Sequence, residues 1–465
     1  MKRDLSAFSL AAGLLAFGVG VAPAQSEAAD PNPEFVSILD VAPQTLRGFI
    51  RMPKFYGDEN MNRETVDGSL LERQYLLGSL GGLRTRAAES GLFVDAGVTQ
   101  VYQGVVSGDG DNGKYAGSGD IWAALDTGRA GLWSGGLFIA HFEGNWGELV
   151  SGTGALLPLN ADATMPTSPD SLALSELYLF QALPEGFGII AGKLDWAGTA
   201  DTSLFANNER TQFLYEGFVN NAVLGAFVPY TSTGIALTKE FQSDLSLSAG
   251  FFSNDSNATT SSLDDFAFDK MTYFVTGGWT PTFSGLPGNY NFIVGYSSKD
   301  IASFDVDDEY LIGEIIGTVP VAEESGNYAL TLTGSQYVWI NEGATRSDGQ
   351  AVGFGPFFRF GIAPKDRNLI DQFYSVGIGG TGGPFGRNDD NWGIGWAGTH
   401  ISSDFRRDAD ELGVSVDDFE HAVEGYYNVA LTPAMHASFH AQYVNSANPS
   451  ADDAVVLSTR LQLDF

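Results

Sequence analysis

Hydrophobic and polar residues alternate along most of the chain beyond residue 91. In the stretch 289–297, Tyr290, Phe292, Val294 and Tyr296 fall on one face, and smaller or polar residues fall on the other. The same period of two recurs at 245–251, 328–333 and 353–362. A period of two is typical of β-strands with one apolar face. Clusters of Gly, Asp, Asn, Ser and Pro separate these stretches, so the pattern predicts successive strands joined by turns.

The first residues have the pattern of a secretory signal. Basic residues at positions 2 and 3 precede an apolar stretch at 5–22, which ends on the small-x-small sequence Ala22-Pro23-Ala24. This order of charge, apolar run and small residues predicts a cleaved signal peptide at 1–24. An N-terminal membrane anchor is the alternative interpretation.

Residues 25–90 are predicted to form a leader with short helices. Prolines interrupt its first part, and the stretches 67–80 (Asp67 to Leu80) and 83–90 (Leu83 to Ser90) have helical patterns. Gly91 follows the second stretch at a helix C-terminal position, and helical periodicity is absent from there onward. The sequence therefore predicts three parts: a signal peptide at 1–24, a leader at 25–90, and an all-β domain at 91–465.

Alternating strands fit either a soluble two-sheet sandwich or a membrane barrel, and the last strand favours the barrel. One of its faces carries Val455, Leu457, Thr459, Leu461, Leu463 and Phe465. The other face is polar, and the chain stops on the aromatic residue itself. This arrangement resembles the terminal strand of outer-membrane proteins, in which the last aromatic residue serves as an assembly signal. We therefore predict a transmembrane antiparallel β-barrel, with Phe465 as that signal.

Physical constraints set the size of such a barrel. Lipid offers no hydrogen bonds to an open sheet edge, so the sheet must close on itself. About 375 residues from Gly91 onward, at one strand and turn per ~20–25 residues, give roughly 15 to 18 strands. A barrel of this size encloses an aqueous channel.

Composition narrows the function classes. The chain has 465 residues, 58 glycines, no cysteine and a formal net charge of −33. The acidity disfavours nucleic-acid binding, which needs a basic surface to neutralise phosphates. An exported chain without cysteine cannot use disulfides for stability. Acidic clusters at 264–265, 305–309, 389–390 and 452–453 are expected in loops, as solvated charge that divalent cations could bridge to lipopolysaccharide.

Several ordered blocks resemble the carbohydrate-selective porins of the OprB family. They are YLLGSLGGLRTRAAESGLFVDAGVTQVYQ at 75–103, SELYLFQAL with GFGIIAGKLDW at 175–196, FANNERTQFL at 205–214, GPFGRNDDNWGIGW at 383–396, and EGYYNVALTPAMHASFHAQYV at 424–444. The chain departs from the family pattern at Ser79-Leu80, where the family carries Asp-Trp. The resemblance implies a barrel of about sixteen strands, short N-terminal helices near the periplasmic mouth, passive entry of sugars, and a monomer or weak trimer.

The resemblance also implies an eyelet, where basic residues face acidic ones. A charged residue inside a membrane strand faces water, because an Arg or Lys facing lipid at the midplane costs about 2–4 kcal/mol. The candidates for pore or solute contact are Arg84, Arg86, His141, Glu143, Lys193, Asp195, Glu209, Arg210, Arg359, Arg387 and Arg460. For each of these, a plain wall charge is the alternative. Aromatic residues near strand ends can form an interface girdle or stack on sugars; they are Trp146, Trp196, Trp392 and Trp396.

An enzyme or a metal site finds little support in the sequence. His436 and His440 share a strand face, but about 13 Å separates positions four apart on a strand, too far for one metal ion. No Gly-x-Ser-x-Gly elbow is present, although a histidine-assisted serine site built across strands stays open. We predict no cofactor and no metal.

The sequence thus predicts an outer-membrane porin for passive diffusion of mono- or oligosaccharides. Its expected partners are carbohydrates, outer-membrane lipid and lipopolysaccharide, and the barrel assembly machinery. A general or cation-preferring porin is the nearest alternative, favoured if the acidity lines the channel. An outer-membrane enzyme and a structural surface barrel are the alternatives from other classes.

Overall fold

A computed structural model of the protein describes residues 35–38, 68–164, 172–241, 244–256, 259–260, 266, 268–304, 311, 314, 319–347 and 350–465. The predicted signal peptide and most of the predicted leader lie outside these residues. So do the acidic clusters at 264–265 and 305–309. The described residues form one antiparallel sheet that closes into a barrel, and segments of chain fold into its interior.

Eighteen strand segments make up the sheet. They are β1 (Leu92–Ser107), β2 (Lys114–Asp126), β3 (Gly136–Gly147), β4 (Leu172–Ala182), β5 (Phe187–Leu194), β6 (Ser232–Phe241), β7 (Leu245–Ser253), β8 (Met271–Trp279), β9 (Thr282–Phe283), β10 (Leu286–Ala302), β11 (Glu323–Gln336), β12 (Trp339–Thr345), β13 (Ala351–Ile362), β14 (Ile370–Thr381), β15 (Asn391–Ile401), β16 (Phe419–Thr432), β17 (Met435–Asn445) and β18 (Ala454–Asp464).

Two of these segments are continuations of their neighbours, so the wall has sixteen strands. β9 extends β8 past a break at Thr280 and Pro281, and both pair with β10. β12 extends β11 past a break at Tyr337 and Val338, and both pair with β13. The first and last strands pair with each other from Gly97 opposite Asp464, which closes the sheet. The closed sixteen-stranded antiparallel barrel confirms the predicted fold.

The wall exposes apolar side chains outward and buries polar ones inward. On β11, Tyr328, Leu330 and Leu332 are 62%, 37% and 41% exposed, whereas Thr331 and Thr333 are at most 2% exposed. The other patterned strands show the same polarity. A soluble two-sheet sandwich would bury the apolar face, so that alternative is wrong. The arrangement is that of a membrane barrel, whose outer face is solvated by acyl chains.

The two ends of the barrel differ in the length of their connections. Short turns join the strands at one end, at 127–135, 183–186, 242–244, 280–285, 346–350, 382–390 and 433–434, and the wall both begins and ends there. Longer connections at the other end include 148–171, 195–231, 254–270, 303–322 and 402–418. Outer-membrane barrels have short periplasmic turns and longer extracellular loops, which gives the orientation of this barrel.

In the part of the chain that the structure describes, α-helices occupy few residues. They are α1 (Leu83–Glu89), α2 (Trp196–Ala200), α3 (Glu216–Val219) and α4 (Ser403–Glu411), and α4 begins with Ser402 as its N-cap. α1 packs against β1 at the short-turn end and matches the helix expected at 83–90. In the described part of the chain, no helix is both long and apolar enough to cross a bilayer.

The helix expected at 67–80 is wrong for the described residues of that stretch. Residues 68–80 form turns, and Gly78 and Leu80 adopt φ of 58° and 52°. Gly81 and Gly82 follow with φ of 68° and 86°. Left-handed residues interrupt a right-handed helix, so this glycine-rich stretch turns repeatedly before α1 begins.

Candidate functional site

The lumen is narrowed by the connection between β5 and β6. Residues 195–231, called the inner segment below, fold into the barrel and include α2 and α3. Their buried aromatic residues, Phe205, Phe213, Tyr215, Phe218 and Phe227, join one hydrophobic cluster with wall residues Phe357, Phe373 and Tyr426. The sequence analysis did not predict an apolar core inside the lumen. It exists because a chain that crosses a polar lumen needs its own buried contacts.

Glycines in the wall make room for these aromatic rings. A Cβ placed on Gly393 would lie 2.7 Å from the Phe213 ring, and one on Gly395 would lie 2.6 Å from the Phe218 ring. Both glycines lie on β15, within the sequence NWGIGW, where the alternate residues Trp392, Ile394 and Trp396 face outward. The small inward positions therefore fit the inner segment against β15.

Charged wall residues hold the backbone of the inner segment. Arg359 on β13 is 1% exposed and forms an ion pair with Asp201. Its Nε lies 3.1 and 3.0 Å from the two carboxylate oxygens. Its terminal nitrogens donate to the carbonyls of Ala206, Phe218 and Val219 at 2.6–3.0 Å. Each of the three guanidinium nitrogens is thus bonded within the protein, and the buried side chain is shielded from a solute.

Four other wall residues make comparable contacts. Arg460 on β18 donates to the carbonyls of Glu209 and Gln212 at 2.7 and 2.8 Å. Glu424 on β16 accepts from the backbone N–H groups of Leu214 and Tyr215 at 2.9 and 2.8 Å. The connection 148–171 is held in the same way, because Gln103 and Gln442 both donate to the carbonyl of Leu159 at 3.0 Å. The wall thus supports both segments that enter the lumen.

Residues 207–212 form the polar edge of the inner segment and are called the rim below. All six are partly or fully exposed, unlike their neighbours Phe205 and Phe213. Asn208 Oδ1 accepts from two backbone N–H groups within the rim at 3.0 Å. Gln212 Oε1 accepts from two others at 2.8 and 3.0 Å. The rim is therefore a turn braced by its own amide side chains.

Arg210 is the charged centre of the rim. Its guanidinium contacts Asp120 on β2, and its Nε lies 3.7 Å from Asp162 Oδ1. The Arg210 side chain is 22% exposed, whereas the two carboxylates are 2–3% exposed. Burial raises the pKa of Asp162 to about 7, and the negative charges of Asp120 and Glu209 add to this, although Arg210 opposes it. The geometry exposes the Arg210 cation to the lumen and keeps the two carboxylates buried beside it. A guanidinium in this position can bind hydroxyl groups.

A second polar cluster lies beside this pair on β3. His141 stacks on Trp122, with ring centroids 3.6 Å apart, and its ring nitrogens lie 2.7 Å from Asp120 and 3.3 Å from Glu176. Glu143 is bound by Ser175 and by the Tyr230 hydroxyl, at 2.7 Å from the latter.

This cluster could also hold a metal ion in principle. Ligand atoms of Asp120, His141 and Glu143 lie within 4.8 Å of one another. However, Arg210 already binds Asp120, and protein hydroxyl groups saturate Glu143. The residues therefore fit a protein ion network better than a metal centre.

Comparison with known proteins places the chain in a family. The family model described as "Carbohydrate-selective porin, OprB family" matches residues 110–465. The chain belongs to this family. The family membership confirms the resemblance found in the sequence blocks.

Solved structures and a curated relative add to this finding. The high pH structure of Pseudomonas putida OprB is 18% identical, with a TM-score of 0.73 over 84% of this chain and 98% of that one. The low pH structure of the same protein is 16% identical, with a TM-score of 0.53 over the same shares. An uncharacterized protein of Aquifex aeolicus is 23% identical over 188 residues, 40% of this chain and 53% of that protein. The match thus spans about half the length of this relative, and the likeness to the solved structures shows the fold.

Several predicted pore residues of this OprB-family porin lie away from the rim. Arg84 on α1 is buried at the short-turn end, where it lies over the Tyr75 ring and donates to the carbonyl of Phe465. Arg86 is exposed on the same helix. Arg387 lies in a short turn and pairs with Asp390 at 2.6 Å. Asp390 itself is 1% exposed and is therefore not the solvated loop charge expected at 389–390, whereas Asp389 is partly exposed.

Two more candidates have structural partners near the inner segment. Lys193 on β5 donates to the carbonyls of Leu174 and Thr260 at 2.9 and 2.7 Å. Asp195 is the N-cap of α2 and accepts from the Gly198 N–H at 2.8 Å. Of the predicted charged residues, the structure brings together His141, Glu143, Glu209 and Arg210 around the rim, with Arg359 and Arg460 behind it.

The tryptophans separate into two groups. Trp146, Trp392 and Trp396 are on outward-facing positions of β3 and β15, which fits an interface girdle. Trp146 lies over Gly117 of the neighbouring strand. Trp196 is 6% exposed and stacks on Phe252 inside the protein, with its indole N–H bound to the Ser232 carbonyl at 2.9 Å. It faces neither lipid nor open lumen, so neither predicted role fits it.

A serine, a histidine and a glutamate line up across β16 and β17. His440 Nδ1 lies 2.7 Å from Glu424 Oε1, and its Nε2 lies 3.1 Å from Ser438 Oγ. The order resembles a hydrolytic triad. Ser438 is 1% exposed, however, and Glu424 is already bound to the inner segment. The arrangement therefore stabilises the lumen packing.

Sequence reasoning missed the carboxylates that complete the site. Asp120 and Glu424 fall on inward positions of alternating strands, so the alternation itself could have identified them. Asp162 and Asp201 lie in connections without periodicity. No sequence signal marks which wall charge they would meet, because that depends on how the connections fold back.

Proposed function

We propose that this porin lets mono- and oligosaccharides diffuse passively across the outer membrane, past the rim of the inner segment. The observation that carries the proposal is the position of Arg210, partly exposed in the lumen and flanked by buried Asp120 and Asp162. Family membership supports carbohydrates as the solutes. No energy coupling is needed, because the concentration gradient drives the flux.

The rim has the chemistry for weak, repeated binding of hydroxyl groups. The guanidinium of Arg210 and the amide NH2 groups of Asn207 and Asn208 supply donors that replace part of the water around a sugar, whereas the amide oxygens of Asn208 and Gln212 brace the turn. Their mutual hydrogen bonds fix them in place before a solute arrives. Conduction requires binding that is favourable enough to enter and weak enough to leave. A partly exposed rim without a closed pocket meets both conditions.

A cation-preferring porin is the second candidate, and the charges near the rim favour it. Asp120, Glu143, Asp162 and Glu176 lie within one network with Arg210 and His141. A lumen with excess negative charge attracts cations. The two candidates differ in what the rim does: it binds sugars in the first and selects ions by charge in the second.

Single-channel recording in a planar bilayer separates these candidates. We expect channels whose current falls in a concentration-dependent manner when glucose or a maltooligosaccharide is added, because a bound sugar obstructs ions at the rim. A large cation-directed reversal potential without any sugar effect would support the second candidate. Purified, folded protein that forms no channel would overturn both and favour an enzymatic or structural role.

Three further features complete the proposal. Residues 1–24 are a signal peptide removed on export, and the leader at 25–90 precedes the barrel, so intact-mass measurement of the outer-membrane form tests the cleavage. Phe465 is recognised by the barrel assembly machinery. Deletion of Phe465 tests this, and we expect it to reduce the amount of folded protein.

The barrel acts as a monomer or weak trimer among lipopolysaccharide, and it is not an enzyme. Light scattering in detergent measures the oligomeric state.

A further inference from the structure

We propose that Arg359 is a positioning residue that sets the width of the aperture for sugars. The proposal rests on the proposed function, since it assigns how that site keeps its shape. Arg359 does not touch the solute. It holds the two ends of the loop that carries the rim, and thereby fixes where Arg210 stands in the lumen.

The hydrogen bonds of Arg359 close the base of this loop. Ala206 comes directly before the rim, whereas Phe218 and Val219 come after it, and all three carbonyls accept from the same guanidinium. Asp201, which precedes the rim in the chain, accepts from Nε of the same guanidinium. One side chain thus joins stretches of the inner segment that are distant along the chain.

A second arginine holds the rim itself. Arg460 on β18 donates to two carbonyls within the rim, those of Glu209 and Gln212. Because β13 and β18 lie apart in the order of the sheet, the rim and its base are tied to separate parts of the wall. This two-point attachment restricts the rim more than either contact alone.

The chemistry of Arg359 is specific to a guanidinium. Its planar fork presents several donors in fixed directions, whereas the ammonium of a lysine is a compact point charge that cannot span the same acceptors. The ion pair with Asp201 leaves the charge of Arg359 neutralised and buried, at 0–1% side-chain exposure. A lysine at this position would keep the positive charge but could not make the same set of hydrogen bonds. The variant therefore separates a positioning role from an effect of charge alone.

Loss of these bonds is costly to the docked segment. A lysine cannot bond all of these acceptors with its single ammonium group, so we expect the ratio of docked to released segment to fall in Arg359→Lys. The barrel wall does not depend on this arginine for closure, because backbone pairing between neighbouring strands closes the sheet.

The test compares Arg359→Lys with Arg387→Met in the full-length porin in planar bilayers. Arg387 also pairs with an aspartate, but it lies in a short turn, and among the described residues its hydrogen bonds go to Asp390 and the Ala430 carbonyl and not to the inner segment. For Arg359→Lys we expect a heat-modifiable, folded barrel with higher single-channel conductance and a higher glucose concentration for half-block. For Arg387→Met we expect both values to stay at the wild-type level.

A folded Arg359→Lys channel with wild-type conductance and wild-type block would overturn the proposal. If this variant does not fold, Asp201→Asn supplies the same readouts, because it removes the charge that orients the guanidinium toward the three carbonyls. Wild-type conductance and block in folded Asp201→Asn would then count against positioning. A wild-type channel without sugar block, combined with increased conductance in Arg359→Lys, would reject the proposed function and retain the positioning role.

Discussion

The inner segment has two faces with opposite chemistry. One face packs Phe213 and Phe218 against Phe357 on β13 and Tyr426 on β16, within an apolar cluster that excludes solvent. The other face carries Arg210 toward the carboxylates near β2 and is partly exposed. The two faces belong to the same short stretch of chain. Their chemistry nevertheless assigns them to different tasks.

This difference separates anchoring from transport. The aromatic face obtains its stability from burial, which is insensitive to the solute and to moderate changes of pH. The charged face obtains its selectivity from groups whose charge and hydrogen bonding respond to both. A substitution on the first face should therefore change the size of the pore, and one on the second should change what passes through it.

The largest expected effect comes from breaking the aromatic face. Phe213 is fully buried, with ring centroids 4.6 Å from Phe218 and 4.7 Å from Tyr426. Phe213→Ala removes these contacts and costs about 3–5 kcal/mol, enough to release the inner segment from β15. We expect higher single-channel conductance, greater current noise, and protease cleavage within 195–231 while the barrel stays folded.

Phe439→Ala is the matched control, because its ring is 61% exposed on the lipid-facing side of β17. It should leave conductance and cleavage unchanged. If Phe213→Ala keeps a quiet, wild-type conductance and an intact inner segment, the aromatic face does not anchor the constriction.

The wall could be predicted from the sequence almost completely, because its information is local. Apolar and polar residues alternate within each strand, and the apolar set, such as Tyr328, Leu330 and Leu332, faces outward to lipid. The last strand behaves as predicted, with Leu457 outward and Arg460 inward. Residues 68–80 do not form the predicted helix, because Gly78, Gly81 and Gly82 adopt positive φ angles that a right-handed helix does not contain.

The site could be predicted only in part, because its partners are distant in sequence. Arg359 and Arg460 were identifiable as inward charges, since each falls on the face opposite the outward apolar residues of an alternating strand. Their partners are backbone carbonyls at 206–219, and no side-chain pattern marks a carbonyl. The aromatic residues of the inner segment look like ordinary loop residues until the segment folds back into the barrel.

A smaller effect is expected from removing the charge on the other face. Arg210→Gln keeps a polar side chain of moderate length but loses the cation beside Asp120 and Asp162. A hydrogen bond to a charged group contributes about 1.5–3 kcal/mol, so the glucose concentration for half-block should rise roughly tenfold to a hundredfold. Cation preference should increase at the same time, measured as reversal potential under a salt gradient.

Arg129→Gln is the control for loss of one positive charge, because Arg129 lies in the short turn at 127–135, away from the rim. It should change neither block nor selectivity. An Arg210→Gln channel with unchanged sugar block would show that solutes do not contact the charged face. Unchanged conductance alone is expected, because the aromatic face still holds the inner segment in place.

The smallest effect comes from the protonation of Asp162, which burial shifts to a pKa of about 7. Below this pH the carboxyl is neutral, and Arg210 is balanced mainly by Asp120. Above it, Asp162 adds one negative charge next to the guanidinium, so cation preference should increase as pH rises through about 7. Asp162→Asn should flatten this dependence and hold the channel at its low-pH selectivity.

Glu148→Gln is the control, because the Glu148 side chain is 72% exposed. This variant should leave the pH dependence intact. A wild-type channel whose selectivity is constant from pH 5 to 9 would place the titrating charge outside the conduction path, and the charged face would then act on sugars through Arg210 alone.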